Sequence, residues 1–250
     1  MPIIRFIIRS IGVLFAAFIA LPLVVIFLTA TQKSQHKQKK NVVSLWSKII
    51  CFVCGIKLTM RGTVQESPVM IVANHSTWLD IAVIHRFKFL GYVAKKEIEK
   101  WFFIGTVAKS GESLFISRGE HASRKNVITE IIDRFSQNRS IAVFPEGKAT
   151  NGMQLGTFHR QLIHAAVESK TPVQAVAIKY INKDGSRNKE IPFKKGEKFV
   201  FNVLRILTLP ACTAELTFCE VIDTTNKTAR ETARHSHDQV AKVLAENDYL

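Results

Sequence analysis

A histidine and an aspartate five positions apart, His75 and Asp80, close the run Ile71-Val72-Ala73-Asn74-His75-Ser76-Thr77-Trp78-Leu79-Asp80. Neutral imidazole accepts a proton at about pH 7, and a carboxylate beside it fixes the tautomer and stabilises the imidazolium that forms. On one ideal helix the two side chains would be rotated by about 140° and could not meet. They meet if His75 ends a strand and Asp80 lies in the first turn of a following helix, with Ser76 or Thr77 as N-cap. The pair then forms a general base and its orienting acid.

Two more apolar runs end on ionisable groups. Ser110-Gly111-Glu112-Ser113-Leu114-Phe115-Ile116-Ser117-Arg118 ends on an arginine, and Ser140-Ile141-Ala142-Val143-Phe144-Pro145-Glu146-Gly147 ends in a Pro-carboxylate-Gly turn. An open α/β sheet gathers such strand ends at one crevice. The fork of Arg118 suits an anionic group, and Lys95, in Val93-Ala94-Lys95-Lys96-Glu97, is a further candidate for a phosphate contact. No G-x-S-x-G, P-loop or G-x-G-x-x-G run is present, which argues against hydrolase, kinase and dinucleotide chemistry. His121, His159, His164, His235 and His237 show no metal-ligand spacing, so no metal and no cofactor are expected.

The elements that must position these groups read as an alternation. Strands are expected at 56–62, 69–73, 89–94, 110–118, 140–144 and 173–180, with a last alternating strand over 214–221. Helices are expected at 77–86, 97–109, 123–138, 158–169 and 227–246. Val127, Ile128, Ile131, Ile132 and Phe135 mark the buried side of the third. Residues 182–190 read as a solvated loop and 198–207 as another apolar stretch. The fold class is α/β: a central mixed, mostly parallel sheet flanked by helices.

Thirty-five Lys and Arg against twenty Asp and Glu leave a formal charge of +15 over 250 residues. Such a balance suits a polyanion, either nucleic acid or an anionic membrane face. The N-terminus decides for the membrane: residues 10–32 carry no charge and are long enough for a hydrocarbon core that needs about 20 residues. Pro22 allows a kinked, spanning or re-entrant helix. Arg5 and Arg9 precede it and Lys33, Lys37, Lys39 and Lys40 follow, so a spanning helix would leave the remainder in the cytoplasm. A second apolar stretch with Trp46 follows directly. Residues 1–58 thus read as a membrane-anchoring helical pair and 59–250 as the catalytic domain, with no nucleic acid as partner. The cysteines, Cys51, Cys54, Cys212 and Cys219, read as buried small apolar residues rather than a disulfide or zinc framework.

From about residue 40 onward the sequence resembles the glycerophospholipid acyltransferase superfamily, in particular the bacterial 1-acyl-glycerol-3-phosphate (lysophosphatidate) acyltransferases. Their N-H-x4-D block is matched by Asn74, His75 and Asp80, and F-P-E-G by Phe144 to Gly147. G-x-x-F-I-x-R is approximated by Gly111 to Arg118 with one extra residue, and a Pro-containing short strand is similar to residues 171–178. The resemblance implies a membrane-bound O-acyltransferase of phospholipid biosynthesis at the inner membrane. It would move a fatty acyl chain from acyl-CoA or acyl carrier protein to the hydroxyl of a lyso-lipid. It implies His75 as base, Asp80 as its orienter, and Arg118, Glu146 and Gly147 in acceptor binding. Lys148-Ala149-Thr150 stands where many members carry Thr-Arg-Ser, so lyso-ornithine lipid is an alternative to lysophosphatidate as acceptor. A non-catalytic lipid-binding protein on the same fold is the remaining reading, and intact His75 and Asp80 favour the enzyme.

Overall fold

The computed structural model describes residues 2–31, 36–66, 68–101, 104–117, 121–246 and 249. Helix α1 (Pro2–Phe15) runs through a π-helical turn, Ala16–Ala20, into α2 (Leu21–Ala30). Pro22 explains the wide turn, since its ring has no N–H to donate to Phe18 and would press on that carbonyl. The chain absorbs this by closing Leu21 N–H onto Ala16 O, five residues back. Helix α3 (His36–Val53) then returns along it, and Trp46 Nε1 donates to Ala16 O at 3.5 Å.

The rest alternates strands and helices in chain order: β1 (Ile56–Arg61), β2 (Met70–Ala73), α4 (Leu79–His85), β3 (Gly91–Lys95), α5 (Lys96–Glu99), α6 (Ile104–Ser110), β4 (Leu114–Ile116), α7 (His121–Ser136), β5 (Ile141–Val143), α8 (Ile163–Glu168), β6 (Val173–Ile181), α9 (Phe199–Thr208), β7 (Cys212–Ile222) and α10 (Ala229–Ala245). Among these residues one sheet runs β1-β7-β6-β2-β5-β3-β4, with every neighbouring pair parallel except β6 and β7. The mixed, mostly parallel sheet matches the expectation.

Period-two alternation divides the core between the two faces of the sheet. Ile71, Val176, Ile178, Tyr180, Ala214 and Leu216 face α4 and α9, where Leu79, Val83 and Ile206 complete one apolar cluster. Met70, Val72, Val173, Ala175 and Ala177 face α7, α8 and α10, where Ile131, Ile163 and Val240 complete the other. Ala16, Ile50, Cys51 and Cys54 belong to the first cluster, so α1 to α3 share a core with the sheet, and the expected boundary at residue 58 lies inside β1. The cysteines are free thiols, and burial pushes Cys212 up to about 11.

Several expected elements differ in extent. The helix expected at 97–109 is broken into α5 and α6, and that expected at 158–169 is helical only over Ile163–Glu168. At the start of the run expected as a strand from residue 110, Gly111 and Glu112 instead form a turn, with Glu112 at φ 61°. Helix α10 begins on a capping box, Thr228 Oγ1 accepting from Glu231 N–H while the Glu231 carboxylate accepts from Thr228 N–H.

Candidate active site

Strands β6, β2, β5, β3 and β4 all point the same way, so the loops after them collect at one edge. Leaving β2 the chain turns to α4 on one face, and leaving β5 it passes to α8 on the other. Adjacent parallel strands whose loops part in this way open a crevice between them. His75 follows β2 and Glu146 follows β5, so this crevice holds both.

His75 Nδ1 lies 2.8 Å from Asp80 Oδ2. The same oxygen accepts the backbone N–H groups of Ser76 at 2.7 Å and Thr77 at 2.9 Å. Oδ1 accepts the Tyr180 hydroxyl at 2.8 Å. A carboxylate removed wholly from water needs such donors to remain charged, and Asp80 is fully buried. This also corrects the expected N-cap. Trp78 is the N-cap of α4, in helical conformation and without a side-chain bond, because Asp80 in the first turn reaches back and takes the amides of Ser76 and Thr77 itself. The His75 side chain is 18% exposed, so with Nδ1 engaged by Asp80 the group available for chemistry is Nε2.

The imidazole lies flat on Phe144, ring centroids 4.0 Å apart and planes 14° from parallel, and Phe144 in turn stacks on Tyr92 at 5.7 Å. Its backbone is held on both sides. His75 N–H donates to Glu146 Oε1 at 2.8 Å, and His75 O accepts Thr150 N–H at 2.8 Å and Thr150 Oγ1–H at 3.1 Å. One residue earlier, Asn74 bonds both polar groups of Ile178 on β6, donating to its O at 3.0 Å and accepting its N–H at 2.8 Å.

Glu146 Oε2 accepts Gly156 N–H at 2.8 Å, so the nearly buried carboxylate ties the His75 loop to the 151–158 segment. A Cβ at position 156 would lie 2.6 Å from that oxygen, which is why the residue there is glycine. Burial raises the Glu146 pKa, and the two amide bonds oppose the rise. Gly147 sits at φ +72° and donates its N–H to Phe144 O at 3.0 Å, closing the turn that turns Glu146 inward. Lys95 ends β3 on the same edge, exposed, in register with Ile116 of β4. Arg118 lies outside the described residues.

The structure therefore brings together His75, Asp80 and Glu146, with Gly147 forming the turn and Lys95 at the rim. Tyr180 and the Thr150 and Gly156 contacts were not legible in the sequence. They arise from residues far apart in the chain, and the one available signal was an aromatic with a polar tip near the end of a largely apolar strand.

A histidine hydrogen-bonded to a buried aspartate at the C-terminal edge of an open α/β sheet is an arrangement that suits group transfer or hydrolysis. The comparisons narrow this to one class. The family model described as Acyltransferase matches residues 55–179, half of the chain, and the chain belongs to that family. It is accordingly an acyltransferase. The chain is 28% identical over 206 residues to a lyso-ornithine lipid O-acyltransferase of Pseudomonas aeruginosa, covering 82% of this chain and 79% of that one. It is 23% identical to a 1-acyl-sn-glycerol-3-phosphate acyltransferase of Neisseria gonorrhoeae over 85% and 84% of the two chains. The crystal structure of the 1-acyl-sn-glycerophosphate (LPA) acyltransferase from Thermotoga maritima superposes with a TM-score of 0.75 at 18% identity, over 98% of this chain and 97% of that one, and shares the fold.

Proposed function

We propose that this acyltransferase moves a fatty acyl chain from a thioester, acyl-CoA or acyl carrier protein, to the free hydroxyl of a lyso-lipid, with lysophosphatidate giving phosphatidate as the reaction. The observation that carries the chemistry is the His75–Asp80 bond with Nε2 left for the substrate. Nε2 takes the hydroxyl proton as the oxygen attacks the thioester carbon. The C–S bond then breaks, and the imidazolium returns the proton to the departing thiolate, leaving ester and thiol. The lyso-lipid hydroxyl is itself the nucleophile, so transfer is direct, within a ternary complex and without an acyl-enzyme.

Arg118 and Lys95 serve the anionic head group, Arg118 by its two-pronged geometry. Glu146 and Gly147 act from the acceptor side by shaping the His75 loop. No cofactor is required. The helix over Pro2–Ala30 is long and apolar enough to cross a membrane, and it anchors the enzyme to the inner membrane with the catalytic domain on the cytoplasmic face. Lys39 does not add to the basic flank of that helix, being buried against Glu112 at 3.3 Å.

A second acceptor, lyso-ornithine lipid, is favoured by Lys148-Ala149-Thr150 after the Glu146 turn and by the likeness to the Pseudomonas enzyme. Purified protein given a long-chain acyl donor and either lysophosphatidate or lyso-ornithine lipid separates the two. Faster turnover of one acceptor names it. Equal turnover by wild type and His75→Ala would remove the general base. An unchanged acceptor dependence in Arg118→Ala would remove the clamp.

A further inference from the structure

The N-terminal helix does not stand apart from the domain. Arg5 Nη1 donates to Thr208 O at 2.9 Å, and Arg9 Nη1 donates to Leu209 O at 2.8 Å and to Ile206 O at 3.3 Å. These carbonyls end α9, so α1 lies against that helix with its arginines turned inward. Away from those arginines, α1 and α2 present a stripe of apolar side chains, with Ile4, Ile8, Ile11, Phe15, Phe18 and Ile26 all exposed.

Helix α9 exposes an apolar face of its own. Asn202, Ile206 and Leu207 pack inward, while Val200, Phe201 and Leu204, at the spacing of one helical face, are 59%, 60% and 42% exposed. Large apolar groups left in water on one contiguous face mark a contact surface. The segment leading into α9, residues 183–198, carries six basic and three acidic side chains. Lys194, Lys195 and Lys198 are exposed just before the helix begins. An apolar helical face with lysines at its margin fits the boundary between anionic head groups and acyl chains.

We infer that α9 is a second membrane-docking element. Val200, Phe201 and Leu204 enter the same leaflet as the stripe on α1 and α2, with Lys194, Lys195 and Lys198 on anionic head groups. This rests on the reading of the protein as a membrane-bound enzyme and adds where the catalytic loop stands relative to the lipid. Phe193 N–H, in the segment leading to α9, donates to Ser76 O at 2.9 Å. Phe199, at the start of α9, packs edge-on to Trp78 with centroids 5.9 Å apart. A bilayer that receives α9 therefore lies beside the loop bearing His75, and a lyso-lipid reaches the base by a short lateral move without leaving the membrane.

The test uses the full chain in vesicles of phosphatidylglycerol and phosphatidylethanolamine. Benzoylphenylalanine placed at position 201, at position 8 as a positive control or at exposed position 235 on α10 as a negative one, is irradiated and the adducts identified by mass. Lipid adducts at 201 and 8 and none at 235 are expected. An adduct at 8 with none at 201 overturns the proposal. In a second arm, the double variant Val200→Ser with Leu204→Ser should lose about tenfold in transfer to acceptor embedded in vesicles while keeping its rate on a short-chain acceptor dissolved as monomers. Equal rates for variant and wild type on both acceptors overturn it as well. If wild type transfers no acyl chain to any lyso-lipid, the proposed activity fails while the adduct pattern still decides the docking.

Discussion

The Tyr180 hydroxyl donates to Asp80 Oδ1 at 2.8 Å, on the carboxylate oxygen opposite the one that meets His75. Both residues are fully buried, and they stand one hundred positions apart. Under the proposed mechanism Tyr180 is a positioning residue, holding Asp80 from a fully buried place. Tyr180→Phe keeps the ring and removes the donor. A bond to a charged acceptor contributes about 1.5–3 kcal/mol, so kcat should fall by at least about tenfold while the acceptor KM stays within about twofold. A fall confined to KM would contradict a positioning role.

Asp80→Asn should be more severe. The amide keeps the shape but loses the charge that stabilises imidazolium, and it can present a donor to Nδ1. A loss of about 10³–10⁴ in kcat is expected, as for an oriented histidine whose carboxylate is neutralised. Circular dichroism and thermal melting of the variant would show whether the loop amides of Ser76 and Thr77 still find an acceptor.

Glu146 links the site to stability through its raised pKa. Because the folded value is above the unfolded one, the protonated form favours the native state. That contribution is complete below the ordinary carboxyl value of 4.5 and is lost as pH rises through the folded value. Melting temperature should therefore decline over that window in wild type, and the same titration step should be missing in Glu146→Gln. A parallel pair of curves would refute the assignment.

His85 works in the opposite sense. Burial lowers its pKa to about 4, and its Nε2 bonds Leu90 O at 2.9 Å. With the folded value depressed, the contribution is present above the ordinary value of 6.5 and is lost as pH falls towards the folded value. The full shift corresponds to about 3 kcal/mol. Acid unfolding monitored by tryptophan fluorescence should begin at lower pH in His85→Gln than in wild type, once each is normalised to its stability at neutral pH.

Gly147→Ala isolates backbone from contact. The residue adopts φ +72°, and a Cβ there would meet nothing within 4 Å. The cost is then conformational alone, about 1 kcal/mol, with a melting point lower by a few degrees. Unchanged KM and kcat at low temperature are expected. A large rise in acceptor KM would instead show that the missing hydrogen touches substrate.

Local pattern made the scaffold of this site readable. The apolar run before His75, the helix start before Asp80 and the turn at Pro145 to Gly147 are short-range signals, and β2, α4 and β5 formed where they pointed. The apolar run in residues 173–180 likewise became β6, one side of it on each core cluster. What was not readable depends on sequence-distant partners. Asp80 takes the capping amides because Tyr180 and His75 complete its coordination, which no preference for Ser76 or Thr77 as N-cap expresses. Glu146 was read as an acceptor contact, and the backbone N–H groups its two oxygens bond in the fold, of His75 and of Gly156, are partners no local pattern names. Trp101 also lies where a continuous helix over 97–109 was expected, because the chain breaks there between α5 and α6.

The bonds from Arg5 and Arg9 to the end of α9 join residues 197 to 203 positions apart. β1 finds its parallel partner in β7, Ile56 beside Cys212, 156 positions downstream. During synthesis the first helix emerges long before its polar partners exist, and its two guanidinium groups wait for carbonyls made about two hundred residues later. Closure of the fold therefore waits for β7, and a chain stalled short of it would hold the first helices and most of a sheet without the strand that pairs β1 to β6.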